Sequence, residues 1–189
     1  MVIISLVGPR SVGKTSIGKS LADSLKYNYF EVDQIMNEQL KEHGGIEGYT
    51  KEFGWEEYSK KRHARLKLLV AELAGKNAIL DCGGSIIVSE YASVSKQSAR
   101  LLEENSKIIL ILPEKDDEKS IATLYKRERK RPHFSHLSDE YLMNKTRTEY
   151  KNFVPQMKEI AGVVFYVGED SVEKVAGRIR DYLEYRDGF

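Results

Sequence analysis

One eight-residue stretch near the start of the chain limits its fold more than any other feature. Residues 8–15 read G-P-R-S-V-G-K-T and match G-x-x-x-x-G-K-[ST], the phosphate-binding loop of nucleoside triphosphatases and kinases. An apolar, β-branched run at residues 2–7 precedes the loop and predicts a buried strand, whereas residues 16–25 carry apolar side chains at helical spacing. This context disfavours a chance glycine-rich turn, so we predict a nucleoside triphosphate site between a strand and a helix.

Each residue type in this phosphate loop suits phosphate chemistry. Gly8 and Gly13 allow sharp turns that bring backbone N–H groups against phosphate oxygens. Lys14 is expected to reach the β- and γ-phosphates and to act in catalysis, and the Thr15 hydroxyl is expected to ligate Mg²⁺. The other residues predicted to contact the nucleotide here are Arg10, Ser11, Val12 and Ser16.

Composition narrows the class of protein. A length of 189 residues suits a single domain, which we place at residues 1–189. With 30 Lys+Arg against 29 Asp+Glu, the net charge of +1 gives no global field for nucleic acid or an acidic membrane. A lone cysteine, Cys82, fits a reducing cytoplasm, and no apolar run approaches the roughly 20 residues of a membrane span. We therefore expect a cytoplasmic monomer with no nucleic-acid or membrane partner.

Apolar runs and helical patterns alternate along the rest of the chain. The further predicted strands cover residues 28–32, 78–80, 107–112 and 163–167. Helical patterns cover residues 34–42, 55–73, a region up to about 104, 116–128, two connected segments on either side of Pro155, and 171–185. Five apolar strands alternating with helices predict a parallel sheet with helices on both faces. Ligands in such α/β folds bind beyond the carboxyl ends of the strands.

Acidic residues follow the second predicted strand at that edge. Asp33 can orient or deprotonate an acceptor hydroxyl, or hold Mg²⁺ through water. An ordinary helix N-cap is the alternative, and one carboxylate could serve both purposes. Glu31, two residues earlier, is a candidate for the metal shell, with a solvated strand-end acid as its alternative.

The end of the third predicted strand carries a second candidate site. Asp81 occupies the usual place of the second metal-site acid of phosphate-loop proteins. Gly83 and Gly84 supply backbone that a small substrate can approach closely. A plain strand-to-helix turn is the alternative for this segment.

A basic stretch at residues 127–131 follows the fourth strand and its helix. We interpret residues 127–138 as a mobile lid whose arginines close over the phosphates and exclude water. Arg127 is assigned to the nucleotide and Arg131 to stabilising the charge that develops during transfer. A solvated face and a nucleic-acid contact are the alternatives for such a run of cations.

Taken in order, these segments resemble the shikimate kinase family, within the nucleoside-monophosphate-kinase group. The resemblance covers most of the chain. The segments that carry it are residues 8–15 (phosphate loop), 30–34 (strand-two signature), 54–58 (start of the substrate-binding helix), 82–85 (triple-glycine turn), Arg131-Pro132 (lid) and 155–161.

The resemblance implies a P-loop kinase with a five-stranded parallel sheet in the order 2-3-1-4-5, a lid, and a substrate-binding helical region at about residues 33–74. It also implies ATP, Mg²⁺ and phosphoryl transfer to a hydroxyl group of a small molecule. By the same resemblance, Asp33 binds and activates that hydroxyl, and Arg131 contacts the ATP phosphates.

The chain departs from the family pattern where the acceptor binds. Ser59 and Phe153 stand where the family has two arginines that grip the shikimate carboxylate. Arg62, one helical turn beyond Ser59, and Arg147, near the late helix, are the candidate replacements. The acceptor therefore stays open between a shikimate-like metabolite and a nucleoside or nucleotide. An ATP-binding regulatory protein without transfer activity is the third alternative.

Overall fold

Within residues 1–187, which a computed structural model describes apart from the side chains of His133, Arg186 and Asp187, five strands alternate with seven α-helices. The strands are β1 (Ile3–Val7), β2 (Asn28–Glu31), β3 (Ala78–Asp81), β4 (Lys107–Leu112) and β5 (Val163–Tyr166). The helices are α1 (Lys14–Leu25), α2 (Val32–Gln39), α3 (Gly45–Glu72), α4 (Ala92–Asn105), α5 (Asp117–Arg129), α6 (Asp139–Ile160) and α7 (Val172–Asp187). Short 3-10 helices lie at Lys41–His43, Gly84–Ile86 and Pro132–Phe134.

The strands form one parallel sheet in the order β2-β3-β1-β4-β5, which confirms the predicted fold. Every residue of β1 and β3 is buried, although successive side chains of a strand point to opposite faces. Helices must therefore cover both faces of the sheet at its centre. The edge strands β2 and β5 are only partly buried.

Helix packing completes the two outer layers. Helix α1 packs against α7, α3 packs against α2 and α4, and α5 packs against α6. None of the helices within residues 1–187 has both the length and the apolar character needed to cross a bilayer.

The long helix α3 begins ten residues before the predicted start at residue 55. Gly44 and Gly45 have positive φ angles of 80° and 77°, so they end the 3-10 helix at Lys41–His43 and turn the chain into α3. Gly54, with φ 86° and ψ 163°, then interrupts α3. The helix consists of two segments, and the second one corresponds to the predicted helix at residues 55–73.

The prediction of two helical segments around Pro155 is wrong, because α6 continues through this proline. Proline removes one backbone hydrogen bond from a helix interior. The buried side chains of Tyr150, Val154 and Met157 lie on both sides of Pro155 and pack against the core. This packing holds the two parts of α6 in one helix despite the lost bond.

The parallel arrangement brings the predicted ligand-binding segments to one edge of the sheet. Gly84 shows how closely they pack: a Cβ atom placed on it would lie 2.4 Å from the Met157 Cε atom and 2.8 Å from the Gly8 carbonyl oxygen. Only a residue without a side chain fits between α6 and the phosphate loop at this point.

We expect Gly84→Ala to lower the free energy of unfolding by about 1–3 kcal/mol, because the added methyl overpacks this contact. Gly177→Ala is the matched control, since no atom lies within 4 Å of a Cβ at this position in α7. That change should raise the free energy of unfolding by up to about 1 kcal/mol. Urea unfolding measures both values, and equal midpoints for the two variants would contradict the packing argument.

Candidate active site

The phosphate loop connects β1 to α1 and has a strained backbone. Gly8, Ser11 and Gly13 have φ angles of 149°, 66° and 109°. A Cβ atom on Gly8 would lie 2.3 Å from the Ile111 carbonyl oxygen, so β4 presses directly against the loop. Such a backbone can direct successive N–H groups toward one anion.

Lys14 is the first residue of α1, and its side chain is buried against the loop. Its ammonium group donates hydrogen bonds of 3.1 Å to the carbonyl oxygens of Gly8 and Pro9. Burial lowers the pKa of Lys14, while the charges of Asp81 and Asp33 act in the opposite direction. The structure thus places one cation beside both predicted acids.

The predicted metal ligands lie together at the ends of β2 and β3. The Thr15 hydroxyl donates a 2.8 Å hydrogen bond to Asp81 Oδ2, and Glu31 is paired in register with Asp81. Burial raises the pKa of Glu31, and the neighbouring Asp81 charge adds to this shift. The described residues include no cluster of three or more His, Cys, Asp or Glu side chains that could hold a metal. Thr15 and Asp81 supply oxygen atoms of the kind that Mg²⁺ prefers, and the phosphates of a nucleotide would complete its ligands.

Asp33 is the second residue of α2, and its carboxylate lines the cleft. Because the N-cap of α2 is Glu31, Asp33 is not the helix cap that the sequence left as an alternative. The carboxylate is open to the cleft but lies deep among protein atoms, and this desolvation raises its pKa. The charges of Arg62 and Lys14 oppose the shift. The charges of both Lys14, beside the phosphate loop, and Arg62, on α3, thus act on Asp33.

The turn after β3 faces Asp33. A Cβ atom on Gly83, whose φ is 64°, would lie 4.0 Å from Asp33 Oδ2. Gly84 also borders the cleft, although its close packing is against Gly8 and Met157. Cys82 is buried, and this burial raises the pKa of its thiol to about 12. The thiol is therefore protonated and serves as packing, not as a nucleophile.

Arg62 reaches the same turn from α3. Its guanidinium donates hydrogen bonds to Ser85 Oγ at 3.0 Å and to the Ser85 carbonyl oxygen at 2.8 Å. It also lies over the Tyr58 ring, 5.3 Å from the centroid. The side chain is 6% exposed, and its buried Nε has no hydrogen-bond partner. Within residues 1–187, Arg62 forms no ion pair with a carboxylate.

The position of Arg147 argues against the predicted substrate-binding role. Its guanidinium pairs with Glu118 at 3.0 Å on the exposed surface of α5 and α6, and it does not line the cleft. Ser59 and Phe153, which stand where the family pattern has arginines, do line the cleft. Ser59 donates its hydroxyl hydrogen to the Trp55 carbonyl oxygen at 2.8 Å, and Phe153 contributes an aromatic ring.

Sequence reasoning missed a Lys–Glu pair on α6. Lys145 and Glu149 form an ion pair and line the cleft on the same helical stripe as Phe153. Burial and the Arg10 charge lower the pKa of Lys145. The spacing of residues 145, 149 and 153 was the available signal, but it does not reveal which face of α6 meets the cleft.

The predicted lid lies over the phosphate loop. Arg127, which still belongs to α5, donates hydrogen bonds to the carbonyl oxygens of Val12 at 2.8 Å and Ser11 at 3.3 Å. The Arg10 guanidinium lies 5.4 Å from the centroid of the Phe134 ring. Arg131 lines the cleft, and its charge contributes to the lowered pKa of Lys14.

A cleft of about 1000 Å³ joins these parts. The phosphate loop and Arg131 form its donor side. Its acceptor side is bordered by Asp33, Arg62, the Gly83-Gly84 turn and the α6 stripe. Trp55, which follows the interruption of α3 and is 56% exposed, also borders the acceptor side.

We expect Arg62→Met to raise the pKa of Asp33 further, because Arg62 is the strongest charge that now lowers it. At a given acidic pH, a larger fraction of Asp33 should then be protonated. Carbon NMR titration of the Asp33 side-chain carboxyl measures this pKa. Arg62→Lys should produce a smaller rise because it keeps the charge, and Arg65→Met, which removes the partner of Glu72, should produce none. An unchanged Asp33 pKa in Arg62→Met would exclude this coupling.

Comparisons with known proteins agree with this geometry. A family model described as shikimate kinase matches residues 10–184. The chain is 28% identical to shikimate kinase 1 of Erwinia tasmaniensis over 181 residues, covering 96% of this chain and 95% of that protein. It is also 28% identical over 121 residues to the pentafunctional AROM polypeptide of Kluyveromyces lactis, covering 64% of this chain. The chain spans only 7% of the length of that polypeptide.

Solved structures show the same fold. A shikimate kinase from Bacteroides thetaiotaomicron superposes with a TM-score of 0.80 at 19% identity, covering 97% of this chain and 98% of that one. A shikimate kinase from Acinetobacter baumannii in complex with shikimate gives a TM-score of 0.73 at 18% identity, covering 99% and 95%.

Proposed function

Because this chain belongs to the shikimate kinase family, we propose that it transfers the γ-phosphoryl group of ATP to a hydroxyl group of shikimate. The family match confirms the resemblance that the sequence segments indicated. One observation carries the proposal: Asp33 faces Gly83 across the cleft, within the electrostatic reach of both Lys14 and Arg62. A carboxylate between a phosphate-binding cation and an acceptor pocket is the arrangement that hydroxyl phosphorylation requires.

The donor half of the site supports ATP binding. The strained loop and Lys14 would hold the β- and γ-phosphates, and Arg131 would neutralise charge that develops during transfer. Thr15 and Asp81 would hold Mg²⁺, with Glu31 beside them. When bound, Mg²⁺ supplies positive charge to the phosphate oxygens. Arg127 donates hydrogen bonds to two carbonyl oxygens of the loop. Its role would therefore be to fix the loop backbone.

The acceptor half supports general-base chemistry. The acceptor oxygen forms a bond to the γ-phosphorus while the bond to the β–γ bridging oxygen breaks and ADP leaves. Asp33 accepts the proton that the hydroxyl loses. Its raised pKa makes the carboxylate a stronger base than a solvated aspartate, and the charge of Arg62 opposes this rise and favours the ionised form.

Arg62 is our candidate for binding the acceptor carboxylate. A guanidinium has five N–H donors, and the described hydrogen bonds to Ser85 use two of them. A buried cation without an anionic partner is costly, so an acceptor carboxylate would stabilise it. Ser85 holds the guanidinium in place before the acceptor arrives, which lowers the entropic cost of binding.

We further infer that the chain acts as a cytoplasmic monomer without a nucleic-acid partner. The near-balanced charge of the sequence supports the absence of a nucleic-acid partner, and the single cysteine, Cys82, supports a reducing compartment.

We expect the chain to phosphorylate shikimate in a coupled ADP-release assay, and Asp33→Asn to lose roughly 10²–10⁴-fold in kcat. Nucleotide affinity should be retained in this variant, because the amide keeps the size of the side chain. Calorimetric ADP titration provides that control. An equal loss of ADP binding and turnover would indicate a structural role for Asp33.

We expect Arg62→Met to raise the KM for shikimate about 10–100-fold, the loss of one hydrogen-bonded charge contact. Arg65→Met, on the same helix but paired with Glu72, should leave KM unchanged. The KM for a shikimate analogue without the carboxylate should be equally high for the wild type and for Arg62→Met. If Arg62→Met still raises the KM for this analogue, Arg62 does not bind the carboxylate.

The same assay decides between the alternatives. Nucleosides and nucleoside monophosphates, tested beside shikimate, would be the better acceptors if the chain were a nucleotide kinase. Tight ATP binding without phosphorylation of any hydroxyl acceptor would instead indicate a regulatory nucleotide-binding protein.

A further inference from the structure

Tyr29 is a polar side chain at the metal-ligand cluster that the proposed mechanism does not use. It lies on β2, and its hydroxyl donates a 3.3 Å hydrogen bond to Asp81 Oδ2. The Thr15 hydroxyl donates to the same oxygen at 2.8 Å. The phenol also lies within the field of Glu31. Tyr29 therefore faces all three residues predicted to surround Mg²⁺.

Packing against α1 holds the ring in this position. A Cβ atom on Gly18 would lie 2.8 Å from Tyr29 Cε2, so the ring occupies the space that a side chain would take. Glycine is unfavourable inside a helix, and here its absence of a side chain admits the ring. The Lys19 ammonium lies 5.7 Å from the ring centroid. Helix α1 thus fixes where the hydroxyl can reach.

The two hydrogen bonds to Asp81 have a common consequence. Both use Oδ2, and no described residue donates a hydrogen bond to Oδ1. Two donors on one oxygen fix the plane of a carboxylate and leave the other oxygen free for a cation or its water. Thr15 alone would not fix the plane of the Asp81 carboxylate, because a single hydrogen bond leaves the carboxylate free to rotate.

We propose that Tyr29 is a positioning residue that orients Asp81 for the Mg²⁺–nucleotide complex. It acts through Asp81 and touches neither nucleotide nor acceptor. The inference rests on the proposed binding of ATP with Mg²⁺ but is independent of the acceptor. Residues that orient metal ligands typically change metal affinity 10- to 100-fold when they are removed. The 3.3 Å bond places the expected effect of Tyr29 at the lower end of that range.

Tyr29→Phe tests this role because it removes the hydroxyl and keeps the ring against Gly18. ADP affinity is measured by calorimetry in EDTA and at increasing Mg²⁺ concentrations. We expect the Mg²⁺ concentration that gives half of the affinity gain to rise about tenfold. ADP affinity in EDTA should stay within about twofold of the wild type, because the phosphate loop is intact.

Two further variants separate orientation from packing. Tyr141→Phe removes a hydroxyl from an exposed position on α6 and should match the wild type in both conditions. Tyr29→Leu removes both hydroxyl and ring, and should weaken ADP binding in EDTA as well. Thermal unfolding of each variant reports whether the fold is retained.

The outcomes are distinct. If Mg²⁺ strengthens ADP binding by wild type and Tyr29→Phe at the same concentrations, Tyr29 does not orient Asp81. The inference also fails if Tyr29→Phe weakens ADP binding equally with and without Mg²⁺, since the residue then supports the loop alone. If Mg²⁺ has no effect on ADP binding by the wild type, the proposed function fails together with this inference.

Discussion

One buried cation and the acids around it determine the rest of this structure. Lys14 loses most of its hydration beneath the phosphate loop, which lowers its pKa, and the charges of Asp81 and Asp33 counteract that cost. The parallel sheet makes this possible because it ends β1, β2 and β3 at one edge. The strained loop backbone, the packing of Gly84 against Gly8 and the cleft itself all follow from bringing these ends together. The fold and the balance of charge around Lys14 therefore both depend on bringing these strand ends together.

Under the proposed function, the charge contact to the acceptor has a different position from that in the family pattern. The family pattern has arginines at the positions of Ser59 and Phe153, one on each wall of the cleft. Here one arginine, Arg62, lies a helical turn away and is fixed by Ser85 on the adjacent turn. The opposite wall carries Phe153 and the internally neutralised pair Lys145–Glu149. An acceptor would thus meet a charge on one wall and an aromatic ring on the other.

Much of the fold was predictable because apolar periodicity reports burial directly, and β4 was predicted with both ends correct. The strand order came from the family resemblance, since periodicity does not specify which strands are neighbours. The phosphate loop, Asp33 and Asp81 were identifiable because they end or follow strands at the ligand-binding edge. Arg147 does not line the cleft because it is two residues beyond Lys145 on α6. Two residues along a helix turn a side chain by about 200°, away from the stripe of Lys145 and Glu149. The role proposed for Tyr29 was not predictable because it depends on the space above Gly18, a tertiary contact.

The interruption of α3 at Gly54 has a practical consequence for this molecule. It turns Trp55, the single tryptophan of the chain, toward the acceptor side of the cleft, where more than half of its surface meets solvent. Indole emission depends on solvent contact, so the chain carries its own optical reporter of that pocket. Light emitted by the unlabelled protein can therefore report when a molecule fills the part of the cleft beside Trp55.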